Sequence, residues 1–337
     1  MKCTSRLIPP GGGNLKKILI AFLLVPLLFL NACNSSNLPL AYQTSNEQAA
    51  FRMFDIPDEV PSARTFAADL CVVPGNIFGA VAPELIDAGG AALFGTDERK
   101  VLYAKDVYEK LYPASLTKVM TALVALKYGK LDMEIIAGKN VTISESGVQV
   151  CGIKQGDRLT LSQVLHLSLI NSANDAAIMV AEGVAGTVEE FVMLMNREAR
   201  ALGATGTNFM NPHGLSHDDQ YTTIYDMYLI LNAAIKYEAF NRMVQMNSYT
   251  TTYITAEGDS REISVNNTNQ YLQGTRAIPE QVTVIGGKTG TTNAARHCLA
   301  IIAKDTGGKI YLSVIMRAET RDDVYEQTTI LLQQINQ

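Results

Sequence analysis

Apolar positions change their spacing along the chain, and each change marks a different kind of segment. Ile18 to Leu30 is an unbroken apolar run of 13 residues, preceded by Lys2, Arg6, Lys16 and Lys17 and by no acid. Such a run is short for a bilayer span and has the layout of a secretory signal peptide. Asn34 to about Pro61 is rich in Ser, Asn, Gln and Ala without a clear period, which predicts a tether. Ala63 to Val73 is apolar and ends at Pro74-Gly75; it is expected as a strand or as the buried start of the folded body. Ala91–Phe94 and Val101–Tyr103 flank a Gly95 to Lys100 turn region, a hairpin pattern.

The middle of the chain switches to helical spacing. Pro113 opens a helix over Ala114 to Tyr128 that stops at Gly129. Its apolar positions Leu116, Val119, Met120, Leu123, Val124 and Leu126 run round most of the helix, so it is expected to be largely buried. Thr160 is a candidate cap for a helix over Leu161 to Leu169, and further helices are expected at Asp175 to Glu182, Val188 to Leu202 and Tyr225 to Tyr237. Beyond them come β-rich runs: Val282 to Ile285, His297 to Ala303 and Ile310 to Met316. Lys304 to Lys309 is a turn signal between the last two, and a closing helix runs over Asp322 to Ile335. This order predicts an α/β (α+β) fold. Its antiparallel sheet takes strands from both ends of the body, residues 62–337, flanked by helices and with a mostly helical insert at about 120–240.

Composition narrows the class. The chain has 337 residues and is 47% hydrophobic and 18% charged, which provides a core and excludes a mainly disordered chain. A net charge of −5 with no basic stripe argues against a nucleic-acid partner. Five cysteines are too few for a disulfide-built scaffold. Cys71, Cys151 and Cys298 show no C-x-x-C spacing and read as buried apolar thiols, one disulfide among them staying open. The apolar run ends in Leu30-Asn31-Ala32-Cys33, which looks like a lipobox. Residues 1–32 are then a lipoprotein-type signal peptide, 33–61 a lipid-bearing tether, and Cys33 a lipidated anchor to the outer face of a membrane. Plain secretion with cleavage near Ala32 is the alternative. Removing residues 1–32 takes away four basic side chains and no acid, so the body is more acidic than the whole chain.

Three short motifs carry chemistry. In Ser115-Leu116-Thr117-Lys118, serine and lysine share one helix face, so the amine can reach the hydroxyl. Serine needs such a base to become a nucleophile, and burial or a nearby cation can make lysine one. Ser172-Ala173-Asn174 lies between two expected helices; Ser35-Ser36-Asn37 and Ser264-Val265-Asn266 repeat its pattern elsewhere. Lys288-Thr289-Gly290 follows a β-run and Gly286-Gly287. Lysine and threonine there suit a carboxylate, and glycine admits a close backbone.

Ser-x-x-Lys, a Ser-x-Asn element and Lys-Thr-Gly in this order are the signature of class A β-lactamases and penicillin-binding proteins. From about Ala91 onward the chain resembles that family. It is most similar to the low-molecular-mass penicillin-binding proteins that are D-alanyl-D-alanine carboxypeptidases, through Pro113 to Thr121 and through Asn211-Pro212-His213-Gly214-Leu215. The resemblance implies a β-lactamase/transpeptidase-like fold and a serine hydrolase without metal or organic cofactor. Its implied substrates are peptidoglycan stem peptides, and β-lactams its inhibitors. It implies Ser115 as the acylated nucleophile, Lys118 as its base and Ser172 as a proton relay. Asn174 would hold Lys118 and the substrate amide, Lys288 would supply positive potential, and Thr289 would bind a terminal carboxylate. Gly290 would let the substrate backbone approach, and the N–H groups of Ser115 and Thr291 would form an oxyanion hole. An endopeptidase or transpeptidase using the same residues stays open, as does a non-enzymatic sensor. A β-lactamase is disfavoured because Gly203 to Gln220 holds Asp218 and Asp219 but no glutamate. Of the histidines, His213 and His217 read as a surface loop rather than a zinc site, and Arg296 as an ordinary strand charge rather than a carboxylate clamp.

Overall fold

A computed structural model describes residues 67–336 except Ser144 and Ser146. The expected signal peptide and tether, with Cys33, lie outside the described residues. The described part of the 63–73 run is irregular rather than a strand. Cys71 donates its N–H to the Tyr228 hydroxyl at 2.8 Å, and Cys71 and Val73 are buried. A tertiary partner thus takes the hydrogen bond that a sheet neighbour would have supplied.

The main sheet is antiparallel with strand order β2-β1-β9-β8-β7. Its strands are β1 (Gly90–Gly95), β2 (Lys100–Lys105), β7 (Val282–Thr292), β8 (Arg296–Asp305) and β9 (Ile310–Ala318). The strands do come from both ends of the body, as the alternation of elements predicted. Both faces of the sheet are covered. Leu93, Leu299, Ile301 and Ile315 face a core shared with Val324 and Leu331 of the closing helix. Phe94, Ala300, Ile302 and Val314 face the larger core shared with the helical region. Burial on both sides is why these strands read as continuous apolar runs instead of alternating ones.

The helical region contains α1 (Thr117–Tyr128), α2 (Leu161–Ile170), α3 (Asn174–Ala185), α4 (Val188–Ala201), α5 (Ile224–Ala234) and α6 (Glu238–Val244); α7 (Arg321–Leu332) closes the chain. Residues Thr117 to Ala125 of α1 are all buried. Thr160 caps α2 by accepting from the Gln163 N–H, and its own N–H donates back to Gln163 Oε1; threonines 187, 223 and 320 accept from the first turns of α4, α5 and α7. Each such cap contributes about 1 kcal/mol.

A second, four-stranded sheet has the order β3-β4-β5-β6, from β3 (Glu134–Ile136), β4 (Arg158–Thr160), β5 (Ser248–Ile254) and β6 (Ser260–Asn266). None of these four strands is among the elements expected from the sequence. β5 and β6 expose most of their Ser, Thr and charged positions, so little apolar signal marks them. β7 also runs further than expected, through Lys288 and Thr289 to Thr292; its glycines and polar residues hide the strand after Ile285. Cys71, Cys151 and Cys298 are all free, Cys151 being only half-buried.

Candidate active site

Ser115 sits in a single 3-10 turn, Ala114–Leu116, that leads into α1. The turn is forced by Ala114, whose φ of +46° is left-handed, a conformation alanine adopts at a cost of about 1–2 kcal/mol. Two glycines hold it there. A Cβ on Gly290 of β7 would lie 3.1 Å from the Ala114 Cβ and 3.2 Å from the Ser115 N. Gly214 has φ +94°, and a Cβ on it would fall 1.9 Å from the Ala114 carbonyl oxygen. Strand β7 and the loop after Pro212 can therefore press directly on the Ser115 turn.

Lys118, the second residue of α1, is fully buried. Its Nζ lies 2.9 Å from Ser115 Oγ and donates to Asn174 Oδ1 at 2.7 Å and to the His213 carbonyl at 2.6 Å. None of these partners is a carboxylate. Burial, reinforced by the nearby Lys288 charge, holds Lys118 well below the usual lysine range, with Asp175 opposing. Asn174 begins α3, and Ser172 precedes it in a left-handed conformation at φ +65°. Ser172 Oγ accepts from Lys288 Nζ at 2.9 Å, and the Thr289 carbonyl accepts from the same amine at 3.0 Å. Burial brings Lys288 down to about 7.

The eight site residues expected from the sequence within the body converge here. Ser115, Ser172, Thr289, Gly290 and Thr291 line a cleft of about 390 Å³, while Lys118, Asn174 and Lys288 stand behind its wall. The size suits a small-molecule or peptide-end site. Among the described residues, the Ser-x-Asn element that touches the lysines is Ser172-Ala173-Asn174, while Asn266 of the second element only reaches the rim; Ser35-Ser36-Asn37 lies outside the described residues.

Other residues at the cleft or behind its wall escaped the sequence analysis. Asp175 is buried, and its carboxylate accepts from the N–H groups of Cys151, Gly152, Ile153 and Ala176 at 2.8–3.0 Å. It thereby pins the 151–153 loop beside the start of α3. Its signal was faint: an acid in the first turn of a helix, directly after Ser-x-Asn. Thr268 Oγ1 lies 2.6 Å from Thr289 Oγ1. Arg321 lines the cleft from the first turn of α7; a cation where helices favour acids was a usable clue. The surface-loop reading of His213 needs correction. His217 is exposed, but His213 is partly buried and its main-chain carbonyl holds Lys118; main-chain roles leave no mark on residue type. Its ring accepts from Leu215 N at 3.1 Å, and burial with Lys118 nearby lowers it to about 3, so it stays neutral. Arg296 pairs with Glu319, in keeping with an ordinary strand charge.

Comparison with known proteins gives a consistent result. A family model described as D-alanyl-D-alanine carboxypeptidase matches residues 78–320. The D-alanyl-D-alanine carboxypeptidase DacF of Bacillus subtilis is 34% identical over 251 residues, covering 73% of this chain and 61% of that protein. DacC of Escherichia coli is 34% identical over 245 residues, covering 70% of this chain and 58% of that protein. The chain thus spans about three-fifths of the length of these curated relatives. Among solved structures, the Streptomyces K15 DD-transpeptidase superposes with a TM-score of 0.68 at 26% identity, covering 74% of this chain and 97% of that one. A D-alanyl-D-alanine carboxypeptidase from Mycobacterium tuberculosis gives 0.67 at 28% identity, covering 78% and 95%.

Proposed function

The chain belongs to the D-alanyl-D-alanine carboxypeptidase family, and on that premise we propose that it removes the terminal D-alanine from peptidoglycan stem peptides through an ester on Ser115. One observation carries this reading: Lys118 is buried against Ser115 with neutral oxygens as its other partners. A neutral amine fits that setting well. Two N–H bonds go to Asn174 and His213, and the lone pair faces the Ser115 hydroxyl.

In the proposed reaction Lys118 takes the Ser115 proton as Oγ attacks the carbonyl of the penultimate D-alanine. The N–H groups of Ser115 and Thr291 receive the oxyanion. The C–N bond breaks as a proton passes through Ser172, beside Lys288, to the leaving amine. Water then attacks the ester with Lys118 again as base, releasing the shortened peptide and free Ser115. Thr289 holds the terminal carboxylate, with Gly290 admitting the peptide backbone. β-Lactams would acylate the same serine.

The test is release of free D-alanine from a peptide ending in D-Ala-D-Ala, lost in Ser115→Ala. No release by the folded wild-type protein would sink the reading. The likeness to the K15 DD-transpeptidase supports a second reading, with an amine in place of water; an added amine acceptor appearing in the product would favour it. We also propose that the body works outside the cytoplasmic membrane, held by a lipid on Cys33. The lipobox-like end of the apolar run supports this, and Cys33→Ser should release the protein from the membrane fraction.

A further inference from the structure

His297 stands directly across the β7–β8 ladder from Thr291. Its Nδ1 is 3.3 Å from Thr291 Oγ1, and both side chains line the cleft with Thr289 and Arg321. The proposed mechanism uses only the main chain of Thr291 and leaves its hydroxyl unassigned. That hydroxyl shares a strand face with Thr289, two residues away, because side chains alternate along a strand.

The geometry points to His297 as a positioning residue that, through the Thr291 hydroxyl, sets how tightly the cleft holds the substrate's terminal carboxylate. When Nδ1 carries no proton, the Thr291 hydroxyl donates to the ring and turns its proton away from the cleft. When Nδ1 is protonated, the ring donates to Thr291 Oγ1, and the hydroxyl proton is free for a carboxylate oxygen. An imidazolium also adds a positive charge beside the site. Both changes favour an anionic ligand.

The charged groups facing His297 are few. Arg321 of α7 disfavours the imidazolium and Asp323 of the same helix favours it, burial being the largest influence and lowering the ring from its ordinary value. Arg296, its neighbour on β8, is paired with Glu319. From β9 the ladder partner is Ala318, which carries no charge. The ring is therefore mainly neutral at pH 7 and protonates on acidification. A C-terminal carboxylate remains ionised there, since its ordinary pKa is about 3.5. Binding should tighten as pH falls, the opposite direction to catalysis, which needs Lys118 neutral.

This inference rests on the carboxypeptidase reading, and the test separates the two. D-Alanine release by the purified full chain from a peptide ending in D-Ala-D-Ala is measured between about pH 5.5 and pH 8, the window in which histidine titrates. In the wild type KM should fall about fivefold toward the acid end, the size expected for one partly exposed charge. In His297→Gln it should stay flat, with the acid limb of kcat unchanged between the two. Superimposable KM profiles, or a change in kcat alone, overturn the inference while leaving the carboxypeptidase reading intact. If the wild type releases no D-alanine, that reading fails, and the comparison is made on the non-covalent affinity for penicillin, which carries its own carboxylate. The same fivefold difference then supports the role of His297, and flat profiles or no penicillin binding overturn it.

Discussion

At the Ser115 end of the cleft, Lys118 is sealed among Ser115, Asn174 and the His213 carbonyl, and no surface reaches it. At the Thr289 end, Thr291 and Arg321 are exposed and Thr289, Thr268 and His297 half-buried, on β7, β8, α7 and the connection after β6. The two sides obey different physics. In the sealed half Lys118 is buried against three fixed partners, so a lost partner costs its full desolvation penalty. In the open half water competes for each contact and charges are screened. Changes to the first should destroy turnover. Changes to the second should shift affinity.

The largest effect is expected from the sealed half. Lys118→Arg places a permanent cation where a neutral amine is needed. Acylation of Ser115 by penicillin should slow by at least about 1,000-fold, with the circular dichroism spectrum unchanged. Near-normal acylation would remove the distinction between the halves. Gly214→Ala comes next, because its Cβ would collide with the Ala114 carbonyl and its φ of +94° disfavours any side chain. Denaturant titration should show a loss of about 3 kcal/mol or more, accompanied by slower acylation.

Asp175→Asn tests the support behind the sealed half. Replacing the carboxylate weakens charge-assisted bonds to the 151–153 loop, at a cost of about 1–3 kcal/mol in thermal or denaturant stability. Asp175 also raises the Lys118 pKa. Without its charge Lys118 should lose its proton at a lower pH, so the acid limb of kcat/KM should move to lower pH. A limb that stays in place would deny Lys118 the role of titrating base. In the open half, Thr289→Ala should raise KM by about tenfold while kcat changes little. The smallest effect is reserved for a control outside the cleft: Thr160→Ala removes the α2 cap, costs about 1 kcal/mol and should leave kcat/KM unchanged.

The same contrast explains what could be read from the sequence. Ser115 and Lys118 lie one helical turn apart, and Lys288 and Thr289 are adjacent, so residue type and spacing announce them. The central apolar runs announced β1, β8, β9, α1, α2, α3 and α5 for a similar reason, since burial on both faces or all round leaves long hydrophobic stretches; the short α6 was not expected. Asp175 was invisible as a brace because its partners are backbone N–H groups of a distant loop. His213 acts through a carbonyl that any residue owns. Thr268, His297 and Arg321 become neighbours of Thr289 and Thr291 only once β8, the turn after β6 and α7 are packed together. β5 and β6 escaped because their exposed Ser and Thr positions look like those of a connecting segment.

Acylation of Ser115 lies at the centre of this account, and intact-mass spectrometry of the purified protein with penicillin, followed by peptide mapping, addresses it most directly. One penicillin per chain, on Ser115 and persisting for many minutes, is the predicted result. An adduct on another residue, drug consumed without a lasting adduct, or drug left untouched would contradict it.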